Sequence, residues 1–271
     1  MDSDNKIKGV KFEASKESGV YVCYVEDFSL ELESEIRKML SSICYGSVVA
    51  NEPGDYYNYK EALKEFLKRY KQKKPNTKKG MMGELLAHLL IPRHIDSFQA
   101  ISIMNNKEDS GVKKGFDIVY YDNDKRKLWY SEVKSGGDED KYDSNSKNNI
   151  LLNRAKSKNS GILSHISKKP EKVFWDSVLD DVKSTIFDSK TELDIKKLLK
   201  SDYSEVIDHK SKSVLLSSVL YKTLDDRICP VKLNDYKAKI KNKDFDGVII
   251  FSIQKPTYKK IEQFLEQEIK N

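Results

Sequence analysis

Cysteine is scarce in this chain, with only Cys23, Cys44 and Cys229 among 271 residues. An odd, scattered set without a C-x-x-C pair or zinc-finger spacing excludes a disulfide framework, and a reducing cytoplasm is the expected setting. Long apolar runs are missing as well: none approaches the roughly 18–20 residues that a membrane span needs. The opening MDSDNKIKGV is charged and has no apolar h-region, so no signal peptide is expected. No G-x-x-x-x-G-K-[ST] loop is found, so any ATP use is expected to belong to a partner. No internal repeat is found either.

What is present is charge: 34% of residues are Asp, Glu, Lys or Arg, against 38% hydrophobic, with a formal net charge of +6. That balance describes a soluble chain long enough to bury a core. The mild positive charge permits contact with phosphates without demanding it.

Residues 7–26 alternate and are rich in β-branched and aromatic residues, as in Gly19-Val20-Tyr21-Val22-Cys23-Tyr24-Val25, which predicts strands. Leu32, Ile36, Leu40 and Ile43 lie on one face of a helix over 30–43. A turn at 51–55 and a charged amphipathic helix over 57–70 follow. Lys71 to Lys79 reads as a basic connector. The most apolar helix spans Met81 to Ile91, and Pro92 is expected to stop it. Strands are predicted at 98–104, 116–121 and 128–134, the last two joined by a polar turn. Residues 138–149 read as a mobile loop, with a helix from about Ile150. From about 163 to 240 the pattern reads as a helical insertion, with Trp175–Phe187 and Val214–Leu224 as its clearest helices. Residues 246–253 read as a buried strand, and 257–269 as a final helix. The organisation expected is an N-terminal α+β lobe over 1–75 and a second unit over 76–271.

The chemistry concentrates in the hairpin. If Tyr121 faces Leu128, paired residue numbers sum to 249, and Asp117 lies opposite Glu132. Cross-strand Cβ atoms sit about 5 Å apart. Two carboxylates at that distance repel unless something positive lies between them, and a hard divalent cation suits their oxygens. Lys134, two residues beyond Glu132, shares its face. It can orient a water molecule or offset charge on a phosphate. That combination suits metal-assisted phosphodiester hydrolysis. Between Gly80 and Ile91 only Glu84 and His88 are polar, so Glu84 is a candidate to reach the same centre. An acidic residue two before a lysine is itself uninformative here. It recurs at Asp4, Asp194, Asp208, Asp235 and Glu268. Context singles out Glu132, which ends an apolar strand after a hairpin from a strand-borne Asp.

The segments Gly83-Glu84, Gly115-Phe116-Asp117 and Ser131-Glu132-Val133-Lys134 together resemble the PD-(D/E)xK nuclease superfamily. The resemblance implies an α/β restriction-endonuclease-like core, α-β-β-β-α-β with a mixed sheet, matched to residues 81–160 plus 246–253. It also implies a Mg²⁺ (or Mn²⁺) centre in which Asp117, Glu132 and Glu84 hold the metal and Lys134 completes the catalytic set. Phe116 replaces the proline of the superfamily's name. More narrowly, Lys79-Gly80-Met81-Met82-Gly83-Glu84-Leu85-Leu86, the Gly-Phe-Asp strand and the Ser-Glu-Val-Lys-Ser strand end resemble the HamA family, nuclease subunits of the Hachiman anti-phage system. That likeness implies DNA as substrate and a helicase partner of the HamB type, in a heterodimer. No membrane association is expected, since long apolar runs are missing.

Other readings stay open on the sequence. Asp117 and Glu132 can form a cross-strand polar pair bridged to Lys134, and Glu84 can simply favour a helix start. His88 reads more readily as a satisfied polar residue than as a ligand. His94, His165 and His209 have no companion. Lys71–Lys79, and Asn153, Arg154 and Lys156, are candidates for phosphate contacts. A stand-alone restriction or repair nuclease, or a non-catalytic adaptor with a nuclease-like fold, fits the same residues.

Overall fold

The computed structural model describes residues 7–15, 17–104, 115–137, 141–166, 172–204, 211–240 and 244–270. Residues 138–140 of the expected loop, and His209, lie outside the described residues. The chain opens with a hairpin, β1 (Val10–Ser15) and β2 (Val20–Val25), followed by α1 (Leu30–Tyr45) and the short α2 (Ser47–Ala50). Next come α3 (Tyr59–Lys71), α4 (Pro75–His94), β3 (Phe98–Ala100), β4 (Ile118–Asp122) and β5 (Lys127–Gly137). Helices α5 (Ser144–Lys156), α6 (Ile162–Ile166), α7 (Lys172–Thr185) and α8 (Ser189–Ser204) precede β6 (Ser213–Tyr221). The chain closes with α9 (Pro230–Ile240), β7 (Gly247–Lys255) and α10 (Lys259–Glu268).

All seven strands join one mixed sheet in the order β1-β2-β7-β6-β5-β4-β3. Its centre, β2-β7-β6-β5, is parallel throughout, while β1 at one edge and β4-β3 at the other pair antiparallel. Helices cover both faces, as a parallel sheet requires. One face, carrying Trp129, Val133, Leu215, Val219 and Phe251, packs against residues of α1, α3, α4 and α10. The other, carrying Tyr130, Leu216, Leu220 and Ile250, packs against residues of α5 to α9.

Local signals explain most elements. Ser29 caps α1, its hydroxyl accepting from the Leu32 amide at 3.2 Å, and Leu32, Ile36, Leu40 and Ile43 are buried as their spacing predicts. Asn58 caps α3 in the same way, accepting from the Glu61 amide at 3.0 Å. Proline at the first turn of α4 costs no hydrogen bond, so the expected connector turns helical from Pro75 onward. Pro92 lies within the last turn of α4 rather than ending it.

The structure corrects the sequence reading at four further places. The segment read as a helix over 214–224 is strand β6, buried at all nine positions. A strand buried on both faces shows no alternation, so its apolar run is indistinguishable from a buried helix by period alone. The strand beside β5 is therefore β6, and 246–253 lies one strand further out. The strand expected over 98–104 is confined to Phe98–Ala100. Residues 144–149 are helical, because Asp143 caps α5 by accepting from the Ser146 amide at 2.9 Å. Asn148 then anchors that helix to the sheet. Its Oδ1 accepts from Ser218 at 2.6 Å, and its Nδ2 donates to Ser252 at 3.2 Å, all three residues being fully buried.

Candidate active site

β4 and β5 pair from Asp122–Lys127 up to Ile118–Ser131, in the register that sums to 249. β5 continues from Glu132 to Gly137 with β6 alone in register beside it, so the two antiparallel strands part like a fork. Asp117 sits at the crotch. Its Oδ2 accepts from the Val133 amide at 2.7 Å, replacing the next rung of the ladder with a side chain. Alternation along β5 puts Tyr130, Glu132 and Lys134 on the face covered by α5 to α9.

Glu132 is the most buried acid of the centre, only 2% exposed. Lys134 Nζ donates to its Oε1 at 2.5 Å. Its Oε2 is buried and has no hydrogen-bond partner among the described residues. Desolvation pushes the Glu132 carboxyl well above the usual range, Asp117 and Glu84 push the same way, and Lys134 opposes them. For Lys134, burial works against the ammonium. The charges of Glu132 and Asp117 and the hydrogen bond outweigh it, and the net shift is upward, with Arg154 opposing. The lysine is thereby held charged beside two carboxylates.

Glu84 belongs to α4, in the layer on the other face of the sheet. α4 can come this close because residue 83 has no side chain. A Cβ there would stand 1.8 Å from Ser135 Oγ and 3.3 Å from Val219 Cβ. The charge of Glu84 reaches both Glu132 and the buried Tyr120 hydroxyl. His88, one turn on, instead lines a separate cavity of about 360 Å³ with Met39, Pro92, Phe98 and Thr185. Asp117, Glu132 and Lys134 thus meet, Glu84 stands within electrostatic reach, and His88 looks elsewhere. Among the expected phosphate contacts, Asn153 accepts from the Tyr236 hydroxyl at 2.9 Å, and Lys156 pairs with Asp244 at 3.1 Å. Arg154 is exposed at the rim, where its charge is felt by Lys134.

One residue at the centre escaped the sequence reading. His165 on α6 places Nε2 3.7 Å from Glu132 Oε2. Its ring meets Phe116 edge-on at 5.8 Å, and Phe116 lies against Tyr130 at 4.5 Å, so the imidazole is walled by aromatic rings. Gly161 permits the turn that delivers it, since a Cβ there would come within 2.4 Å of the Ala155 and Arg154 carbonyl oxygens. No local spacing links His165 to Glu132.

The donors fit a hard divalent cation: one carboxylate oxygen is buried without a hydrogen bond, and a second carboxylate lies across the fork. Among the described residues no three His, Cys, Asp or Glu side chains form a ready coordination group. Water or substrate oxygens would have to fill most positions, as hard cations in phosphate-handling sites commonly require.

A family model for HamA matches residues 3–269, nearly the whole chain. The chain belongs to the HamA family. HamA proteins are associated with the Hachiman anti-phage defence system, which places this chain among defence proteins. No curated protein matches it. The HamA match includes both outer strands β1 and β3 as well as the fork, so it concerns the whole sheet rather than the motif alone. Among the described residues of this HamA chain, no helix is long and apolar enough to cross a membrane.

Proposed function

We propose that this HamA-family chain is a metal-dependent deoxyribonuclease, the effector of a Hachiman defence system, held in check by a helicase subunit with which it forms a heterodimer. The observation that carries the reading is the fork itself. A strand-end Asp lies opposite a buried Glu whose neighbour two residues on is a charged, half-buried Lys. The order α4-β3-β4-β5-α5, followed after the inserted α6, α7 and α8 by β6, supports it too, being compatible with the α-β-β-β-α-β order of the PD-(D/E)xK superfamily once β6 is taken as the fourth strand. Fold alone does not settle function, so the argument rests on the site.

In this reading Asp117 and Glu132, with Glu84 behind them, hold Mg²⁺ or Mn²⁺. Such a cation, when bound, activates water and offsets the charge that builds up on a phosphate. Glu132 keeps Lys134 protonated and fixes its direction. The Lys134 ammonium, its side chain 21% exposed, then faces the scissile phosphate and stabilises negative charge there. Arg154 at the rim guides the backbone of the nucleic acid toward the fork.

The test is cleavage of linear and circular DNA in Mg²⁺, Mn²⁺ or EDTA, with and without a helicase subunit of the HamB type. Metal-dependent cleavage should fall at least about a hundredfold in Glu132→Ala and Lys134→Ala, with circular dichroism unchanged. Full activity in both variants would overturn the site. No cleavage and no divalent-metal binding by calorimetry would point to a non-catalytic adaptor.

A further inference from the structure

We propose that His165 is a metal ligand of this centre, and that the centre consequently takes divalent ions that accept nitrogen, Mn²⁺ and its heavier neighbours, in preference to Mg²⁺. The inference rests on the nuclease reading and sharpens it, because the motif residues by themselves describe an all-oxygen site.

The argument starts from Glu132. Its two oxygens are treated differently: Oε1 takes the Lys134 ammonium, while Oε2 is buried and makes no hydrogen bond among the described residues. An ionised oxygen left so in the interior is costly. The His165 imidazole stands opposite it, with Nε2 at 3.7 Å. That separation exceeds a hydrogen bond. It is close to the spacing of two ligands on one ion, since bonds of about 2.1 Å meeting near a right angle leave the donor atoms roughly 3 Å apart. A closure of about 0.7 Å completes it, in keeping with the absence of a ready three-residue coordination group among the described residues.

The surroundings favour a fixed ring. Phe116 packs against the imidazole edge-on, and the same Phe116 immediately precedes Asp117. One side chain thus positions the histidine beside the strand end that carries the other carboxylate. His165 is neither fully buried nor free in solvent, its side chain being 22% exposed, which leaves a path for an ion and for water. Imidazole suits Zn, Ni, Cu and Fe, whereas carboxylate and water suit Mg, Ca and Mn, of which Mn²⁺ alone belongs to the first-row series along which affinity for nitrogen rises. Adding one nitrogen to a pair of carboxylates therefore moves the preference along the divalent series.

The full-length chain should be titrated with Mn²⁺ and separately with Mg²⁺ by calorimetry, as wild type, His165→Gln and Glu132→Gln. Spin-echo spectroscopy of the Mn²⁺ complex should accompany the titrations. Wild type should bind Mn²⁺ more tightly than Mg²⁺ and show modulation from an imidazole nitrogen. His165→Gln should lose about tenfold or more in Mn²⁺ affinity, a much smaller factor for Mg²⁺, and the nitrogen signal. Thermal unfolding without metal should be unchanged in that variant. Mn²⁺ bound equally by wild type and His165→Gln, or a spectrum without nitrogen coupling, would overturn the proposal. If Glu132→Gln then still abolishes binding, the carboxylate centre stands and only the histidine falls. Absence of divalent binding in wild type would remove both.

Discussion

Replacing Gly83 with alanine tests the layer contact that brings Glu84 toward the sheet. The new Cβ would stand 1.8 Å from Ser135 Oγ, 3.1 Å from Ser135 Cβ and 3.3 Å from Val219 Cβ. The hydroxyl can rotate away, but the two Cβ atoms are fixed by neighbouring strands β5 and β6 and cannot. Overpacking of this kind costs about 1–3 kcal/mol. Opposing it, alanine is favoured over glycine inside a helix by about 1 kcal/mol. The steric term should win, leaving Gly83→Ala less stable by about 1–2 kcal/mol in urea unfolding. In a Ser135→Ala background only the rotatable hydroxyl is gone and both Cβ contacts remain, so the same change should still cost about 1–2 kcal/mol and the pair should couple by less than about 0.5 kcal/mol. Displacement of α4 should also lower DNA cleavage, because Glu84 is the next residue. A Gly83→Ala protein more stable than wild type would refute the reasoning, since it would mean that helix propensity alone decides the site.

Two further predictions concern a half-buried and a buried base. His94 stacks on Phe12 at 3.9 Å, and burial, helped by Arg93, lowers its pKa to about 4 against an ordinary value of 6.5. The fold therefore prefers neutral His94. Its contribution is complete above about pH 6.5 and is lost as pH falls toward 4, so His94→Phe should remove roughly 2 kcal/mol of acid sensitivity, and unchanged pH dependence would refute this. Lys255 is buried at the end of β7, and desolvation, with Lys260 nearby, lowers its pKa to about 8 from 10.5, Asp27 opposing. The cost of charging it is complete below about pH 8 and fades toward 10.5. Lys255→Met should accordingly add about 1–3 kcal/mol at pH 7 and nothing near pH 11, and a loss of stability at pH 7 would show that its ammonium over Phe28 matters more.

Much of the fork was legible because a hairpin carries its information locally. Strands 118–122 and 127–131 are, like β6, buried on both faces, but the short polar turn between them announces a hairpin and fixes the register, so Asp117 and Glu132 could be set opposite each other from numbering alone. Helix α1 was legible from four apolar residues on one face. Strand β6 was not, since burial on both sides erases the alternation that announces a strand, and its order in the sheet depends on long-range pairing with β5 and β7. His165 was not legible for a related reason. It reaches Glu132 through the packing of α6 on β5, and nothing in its own neighbourhood records that contact. The layer of Glu84 was hidden too, although Gly83 hinted at it: a glycine inside so apolar a helix marks close approach to a neighbour.

The cost of the centre to stability also argues for chemistry. Glu132 occupies a position where the adjacent residues of β5, Ser131 and Val133, are buried without charge, and its own burial disfavours the ionised form. Lys134 compensates through one oxygen only. Such a pair is typically no better for folding than apolar side chains of the same volume, and often worse by 1–4 kcal/mol. The surrounding sheet tolerates this because β6 and β7 are buried almost from end to end and Asn148 ties α5 across them. Asp117 adds to the expense, since it takes an amide that a continued β4 backbone would have satisfied without bringing a second carboxylate near. A sequence selected for stability alone would close the fork with another rung and place a β-branched residue at 132. Keeping the strands apart, with an acid on each side and a lysine held charged between them, makes physical sense where a cation and a phosphate are to be accommodated.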